Sequence, residues 1–167
     1  MTYTFKTKTP DIAASAFIAP SADLIGAVTV GENSSVWYNV TIRGDIAPVI
    51  IGKNSNVQDN SVVHVGHDVP AVIGDHVTIG HNVIVHGCVI KNNSLIGMGA
   101  IILDGAVINE ESIVGAGSLV TKGKTFPPRS LIMGSPARFI RELTPEEIQG
   151  IRDNVLSYVA ISQEYRM

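Results

Sequence analysis

Aliphatic residues return every six positions along this chain. They stand at Ile12, Ile18, Leu24, Val30, Val36 and Ile42, then at Ile51, Val57 and Val63, and then at Ile73, Ile79 and Val85. A last run takes in Ile90, Ile96, Ile102, Ile108, Val114 and Val120. Four places after the leading residue sits a second inward position, often small: Ala16, Ala22, Ser34, Ser55, Ser61, Ser94, Ala100, Ala106, Ser112 and Ser118. A hexapeptide period is the signature of a parallel β-helix, in which each hexad supplies one short strand and a corner. No single coil can bury its aliphatic residues alone. Coils stacked about 4.8 Å apart pair their backbones and build one continuous aliphatic column. Eighteen hexads at three per coil predict six triangular coils.

The register breaks three times. After Ile42 the next leading residue comes nine positions on, after Val63 ten, and after Val85 only five. The breaks follow hexads six, nine and twelve, so they fall on the same corner of successive coils. Accidental loop drift would not align them in this way, and insertions gathered on one corner shape a binding edge.

The period is expected to stop after Thr125, where Pro127-Pro128 punctuates the chain. Thr144-Pro145-Glu146-Glu147 reads as a helix start, with Thr144 as cap, Pro145 in the first turn and Glu147 closing a capping box. Ile148, Ile151, Val155 and Val159 give that helix an apolar stripe, suited to a cover packed along the coils. The expected fold is therefore all-β with a C-terminal α-helix. Residues 1–126 would form the parallel β-helix, with repeats from about residue 12. Residues 127–167 would form a connecting segment and helix in the same domain.

Composition narrows the function. Hydrophobic residues make up 45% of the chain and aromatics only 5%, so the core is built from small aliphatics. A net charge of −3 without a Lys/Arg stripe gives no footprint for nucleic acid. A single cysteine forms no internal disulfide, no apolar run has signal-peptide length near Met1, and no segment could span a membrane. A cytoplasmic protein is the expectation. Cys88 falls at the small inward position of its hexad, which suits a buried thiol. His76 lies near a corner as a solvated turn residue, and Trp37 and Tyr38 could sit near a subunit contact. An outward column at Val89, Leu95, Ile101, Val107, Ile113 and Leu119 is apolar and calls for cover.

Hexad counting also places the histidines. His64 and His86 each follow a leading residue, in hexads nine and twelve, and should stack one coil apart on one face. Strand spacing brings two such imidazoles within reach of a single ion. His81 belongs to hexad eleven, on the preceding face, and should point elsewhere on its own subunit. A site built from all three is awkward within one chain and natural across a symmetric trimer. Three neutral imidazoles with an open position describe a catalytic zinc site rather than a closed structural one.

Arg43-Gly44-Asp45, Gln58-Asp59, His64, Gly80-His81-Asn82, His86-Gly87 and the segment Met133-Gly134-Ser135-Pro136-Ala137-Arg138 resemble the motif set of the gamma-class carbonic anhydrases. The resemblance covers essentially the whole chain. It implies a left-handed β-helix, a homotrimer, and zinc held by His64 and His86 of one subunit with His81 of its neighbour; iron or cobalt could substitute as Fe2+ or Co2+. It further implies that Gln58 orients a hydroxide on the metal, which attacks carbon dioxide to give bicarbonate. Arg43 and Asp45 would form an interfacial ion pair, Asp59 would support the same edge, and Tyr158 would line the site. This chain departs from the family in one respect: Val65-Gly66-His67-Asp68-Val69-Pro70 is short and has no glutamate where well-characterised members carry an acidic proton-shuttling loop. His67 has a suitable ordinary pKa for that role, though an exposed loop histidine is usually inert. Two enzymatic rivals remain, an acyltransferase using one histidine as general base and an acyl-CoA thioesterase. A non-catalytic assembly subunit is the third.

Overall fold

The computed structural model describes residues 1–166, and the six-residue frame is its organising feature. Short strands stack in parallel on three faces. The first face carries Asp11–Ile12, Ala71–Ile73, Val89–Ile90 and Val107–Ile108. The second carries Phe17–Ile18, Ser35–Val36, Asn56–Val57, Thr78–Ile79, Leu95–Ile96, Ile113–Val114 and Ser130–Gly134. The third carries Val62–His64, Ile84–His86, Ile101–Ile102 and Leu119–Val120. Two longer strands, Asp23–Val30 and Thr41–Ile51, run from the third face round the corner onto the first and join the two into one sheet.

The leading residues from Leu24 to Val120 all lie inside, at 0% or 1% exposure. The inward serines are equally buried, and their hydroxyls knit one coil to the next. Ser55 Oγ donates to Gly74 O at 2.8 Å and accepts from Val77 N at 2.9 Å. Ser61 repeats the pattern with Gly80 O and Val83 N. A buried hydroxyl satisfied on both sides avoids the desolvation penalty that would otherwise forbid it.

Each coil must turn sharply three times, and from the second coil on the turning residue takes a left-handed backbone. On the first-to-second corner these are Asn33, Asn54, His76, Asn93, Glu111 and Arg129; on the second-to-third, Asn39, Asn60, Asn82, Gly99 and Gly117. Asparagine and glycine tolerate this region at the lowest energy, which explains the Asn-rich composition of the corners.

The structure departs from the sequence-based expectation at both ends. The repeat does not stop at residue 126: Phe126 and Ile132 continue the inward frame at intervals of six, at 8% and 0% exposure. Ser130–Gly134 pairs in parallel with Ile113–Val114, and Ala137–Glu142 then returns antiparallel as an end cap. At the other end Thr2–Tyr3 pairs with Leu24 and Ile25. The solenoid therefore has about seven turns rather than six. An aromatic residue followed by two prolines hid the last coil, because neither looks like a hexad although both fit the corner.

The C-terminal helix, Pro145–Glu164, starts as its sequence dictates. Thr144 accepts from Glu147 N, the Glu147 carboxylate accepts from Thr144 N at 2.9 Å, and Pro145 occupies the first turn. Ile151 and Val155 are buried against the second face, where the helix contacts Ser35–Val36, Asn56–Val57 and Thr78–Ile79. Trp37 packs at 5.6 Å from Tyr158 on the helix and 5.2 Å from Tyr165 just beyond it, so the C-terminal segment of its own chain covers much of the ring. The outward column from Val89 to Leu119 stays half-buried in the single chain. No helix among the described residues is long and apolar enough to cross a membrane.

Candidate metal centre

His64 and His86 end neighbouring strands on the third face and are direct register partners. Both stand at the corner where the period breaks. Beyond His64 the chain makes a tight hairpin closed by paired bonds between Gly66 and Val69, and beyond His86 it turns through left-handed Gly87. These shortcuts and detours keep the two imidazoles stacked while the first face resumes its register.

Each ring has a carboxylate on one side. His64 Nε2 lies 3.0 Å from Asp45 Oδ1, and His86 Nδ1 lies 2.6 Å from Asp104 Oδ1. An ionised carboxylate only accepts, so the facing nitrogen carries the proton and the opposite nitrogen keeps a lone pair. The opposite nitrogens, His64 Nδ1 and His86 Nε2, are 3.1 Å apart. Two lone pairs at that separation repel unless a proton or cation lies with them. A tetrahedral zinc with bonds of about 2.0–2.1 Å holds its ligand nitrogens roughly 3.3 Å apart, so the donor pair fits that ion.

His81 stands apart from this pair. It follows Thr78–Ile79 at the second-to-third corner, and its Nδ1 lies 2.9 Å from Asp59 Oδ2. Like His64 and His86, and like the exposed His67 beside Asp68, it has a carboxylate on one ring nitrogen. Among the described residues no group of three His, Cys, Asp or Glu side chains within the chain could hold a metal ion.

Gln58 and Tyr158 fall on the His81 side. Together with Leu95, Met98 and Ala116 these three line a cavity of about 240 Å³. Gln58 is buried at 5% exposure and its Nε2 donates to Asn56 Oδ1 at 3.1 Å. Asn56 in turn donates to Thr78 Oγ1, which donates to Asn154 Oδ1 on the helix. With its nitrogen engaged, the Gln58 amide oxygen is the group left to accept from a ligand. Burial, followed by the nearby Asp59 charge, raises the Tyr158 phenol above its ordinary pKa. The hydroxyl therefore stays protonated at neutral pH.

Arg43 and Asp45 pair within one chain, two residues apart on Thr41–Ile51. Burial pushes the Asp45 carboxyl up, but bonds from His64 and Arg43 outweigh it and hold the group below its ordinary value. Asp59 accepts from Tyr38 N as well as facing His81, which fixes it at that edge. His67 is 87% exposed at the hairpin tip beside Asp68. Cys88 is buried and its thiol is pushed up to about 12, mainly by burial, so it is inert as a nucleophile.

Asp104 and the Asn56–Thr78–Asn154 chain were not singled out from sequence. Counting does not point straight at Asp104: the short step after Val85 makes that coil seventeen residues, so Asp104 falls one place past the position in register with His86. Asn154 carries no signal at all, because nothing in the repeat says which face the helix covers.

Stacked hexad coils with inward aliphatic and small residues define a hexapeptide-repeat protein. The family model described as bacterial transferase hexapeptide (six repeats) matches residues 87–122. Over 146 residues the chain is 59% identical to the probable carbonic anhydrase of Methanocaldococcus jannaschii, covering 87% of this chain and 92% of that one. It is 43% identical to gamma carbonic anhydrase 1, mitochondrial, of Arabidopsis thaliana, over 95% of this chain and 60% of that longer one. A crystal structure from Bacillus cereus, described as a putative acetyltransferase, matches with a TM-score of 0.97 at 50% identity, covering 98% and 95% of the two chains. This chain belongs to the gamma-class carbonic anhydrase-like family.

Proposed function

We propose that this protein is a metal-dependent carbonic anhydrase whose site is shared between subunits of a homotrimer, with His64 and His86 from one subunit and His81 from the next. One observation carries the reading. Besides the exposed His67 at the hairpin tip, three histidines each have one ring nitrogen held by a carboxylate, yet only two of these three face each other within the chain. The third presents its free side at a different corner, beside Gln58 and Tyr158, as the other half of a divided site would.

The neutral imidazole set suits zinc, with Fe2+ or Co2+ as alternatives. Bound there, the ion would supply Lewis acidity that makes water nucleophilic near pH 7. The remaining work belongs to the chain. Leu95, Met98 and Ala116 give carbon dioxide an apolar wall. The Gln58 amide oxygen, fixed by Asn56, accepts from the reacting water and orients it. The Tyr158 hydroxyl, kept protonated by its surroundings, donates to the oxygen that gains charge as bicarbonate forms. Asp45, Asp59 and Asp104 hold the three rings in their tautomers.

Subunit complementation tests the proposal directly. His64→Ala and His81→Ala proteins should each assemble as trimers, bind little zinc and fail to hydrate carbon dioxide. Random assortment of the two should restore roughly one quarter of all sites, one interface in each mixed trimer. Recovery absent from verified mixed trimers, or zinc retained by both single variants, would overturn the divided site. Metal-independent acyl transfer by the same protein would point to the acyltransferase reading instead.

A further inference from the structure

We infer that Asp104 is a positioning residue of the metal centre: it fixes His86 in the Nδ1-protonated tautomer and so aims the Nε2 lone pair at the shared site. The inference rests on the proposed metal-dependent function for its purpose, and on the chain's own geometry for its mechanism.

Three observations converge. The 2.6 Å separation between His86 Nδ1 and Asp104 Oδ1 is short for a charge-assisted N–H···O bond, and a carboxylate in that place can only accept. The other two carboxylates divide their attention. Asp45 also binds Arg43 and the amide of Ile46, and Asp59 also accepts from Tyr38 N. Among the described residues His86 is the hydrogen-bond partner of the Asp104 carboxylate.

The backbone around Asp104 makes room for this contact. A Cβ at residue 87 would lie 2.5 Å from Asp104 Oδ1, and one at residue 66 would lie 3.1 Å from it. Gly66 and Gly87 are stacked on one corner, the Gly87 amide donating to His64 O, and Gly87 has φ of +52°. Glycine at residue 87 therefore does two things at once. It takes the turn that shortens the register after His86, and it leaves the carboxylate free to reach the ring. A side chain there would fill the space that the Asp104 carboxylate occupies.

The location follows from the repeat. Asp104 lies on the next coil one place past the position in register with His86, over Gly87, on the uninterrupted stretch from Ile90 to Val120, and its carboxylate reaches back to the ring. A rigid, regular coil thus supports the ligand on the irregular one. That arrangement fixes ring direction without adding a fourth protein ligand, which leaves a position open for substrate chemistry.

Nitrogen NMR of the histidine rings in metal-free protein provides the direct test, because it reads the tautomer without metal or turnover. His86 should show a protonated Nδ1 and an unprotonated Nε2. Asp104→Ala should shift it towards the Nε2-protonated form that free imidazole favours, and Asp104→Asn, whose amide oxygen still accepts, should largely retain the native pattern. Zinc affinity, measured by competition with a chromophoric chelator, should fall about 10–100-fold in Asp104→Ala and less in Asp104→Asn. Cobalt loaded in place of zinc should give an altered visible spectrum in Asp104→Ala while trimer mass and circular dichroism stay unchanged. A native His86 protonated at Nε2 would overturn the inference. So would Asp104→Ala binding zinc within twofold of the parent when His86→Ala abolishes binding, a result that leaves the metal reading standing. A parent protein with the expected tautomer but no affinity for zinc, iron or cobalt would defeat the metal reading and, with it, the positioning role.

Discussion

Two of the three corners of the β-helix treat their histidines in opposite ways. On the regular corner His76 takes the left-handed backbone that Asn33 and Asn54 take on the coils before it. The three side chains form a ladder, Asn33 Nδ2 to Asn54 Oδ1 at 3.2 Å and Asn54 Nδ2 to His76 Nε2 at 3.1 Å. There the imidazole nitrogen closes a network and has nothing left to offer a ligand. On the broken corner His64 and His86 stand at strand ends, their outer nitrogens held by carboxylates and their inner nitrogens turned on each other. Regular stacking satisfies polar groups; interrupted stacking leaves a lone pair exposed to chemistry. The breaks in the period are what separate the stacked pair His64 and His86 from His76; His81, on an uninterrupted corner, keeps its free nitrogen because Asp59 takes only one side of the ring.

The sharpest way to break this comparison is to remove each histidine in turn. His86→Ala should lower zinc affinity by at least about 100-fold, since it deletes one donor from a three-nitrogen set, while metal-free stability changes little. His76→Ala should leave zinc content and carbon dioxide hydration at the parent level. Equilibrium dialysis with metal analysis separates the two, and equal effects would erase the distinction between corners.

The ladder itself can be tested through its middle rung. Asn54→Ala should destabilise the fold by about 1–3 kcal/mol, because it removes two side-chain bonds and puts a Cβ without compensation at φ +54°. Asn54→Gly loses the same bonds but tolerates the backbone, so its loss should be smaller by roughly 1 kcal/mol. Chemical denaturation curves on both variants measure the difference. Equal destabilisation would place the effect in the hydrogen bonds rather than the corner conformation.

A third variant asks whether the regular corner needs histidine at all. His76→Asn should change stability by less than about 0.5 kcal/mol, since asparagine suits the left-handed region and can still accept from Asn54. A larger loss in a thermal melt would mean that the ring contributes packing that the ladder description omits.

The smallest effect concerns neither corner but the helix that covers the second face. Bonds from Arg141, then from the Thr144 amide, lower the Glu147 carboxyl to about 2. A carboxyl whose folded pKa is depressed contributes in full above its unfolded value of about 4.5, and that contribution is lost as pH falls from there towards 2. Carbon-detected NMR should place the Glu147 midpoint near 2. In Arg141→Ala the midpoint should rise towards the ordinary glutamate range, with the metal centre unchanged.

Much of this was legible in the chain. The inward frame from Leu24 to Val120, the shared corner of the three breaks and the stacking of His64 on His86 all follow from counting, because a coil of fixed length converts sequence distance into spatial register. The helix start at Thr144 was legible too, since capping is local chemistry. Phe126 and Ile132 were not, because an aromatic residue and two prolines conceal a hexad that the folded chain still accommodates. The cover that Tyr158 and Tyr165 give Trp37 was not legible either, since only packing shows it.

The sequence by itself determined the coil, its corners and which histidines share a face. These depend on periodicity, burial and backbone preference, all of which act over a few residues or repeat along the chain. Only the tertiary structure decided which nitrogen of each ring remains free, that Asp104 reaches His86, and that Asn154 on the helix anchors the chain leading to Gln58. Those outcomes depend on hydrogen-bond directions between groups from different coils, and a hydrogen bond is fixed by geometry to within fractions of an ångström, which a one-dimensional pattern does not carry.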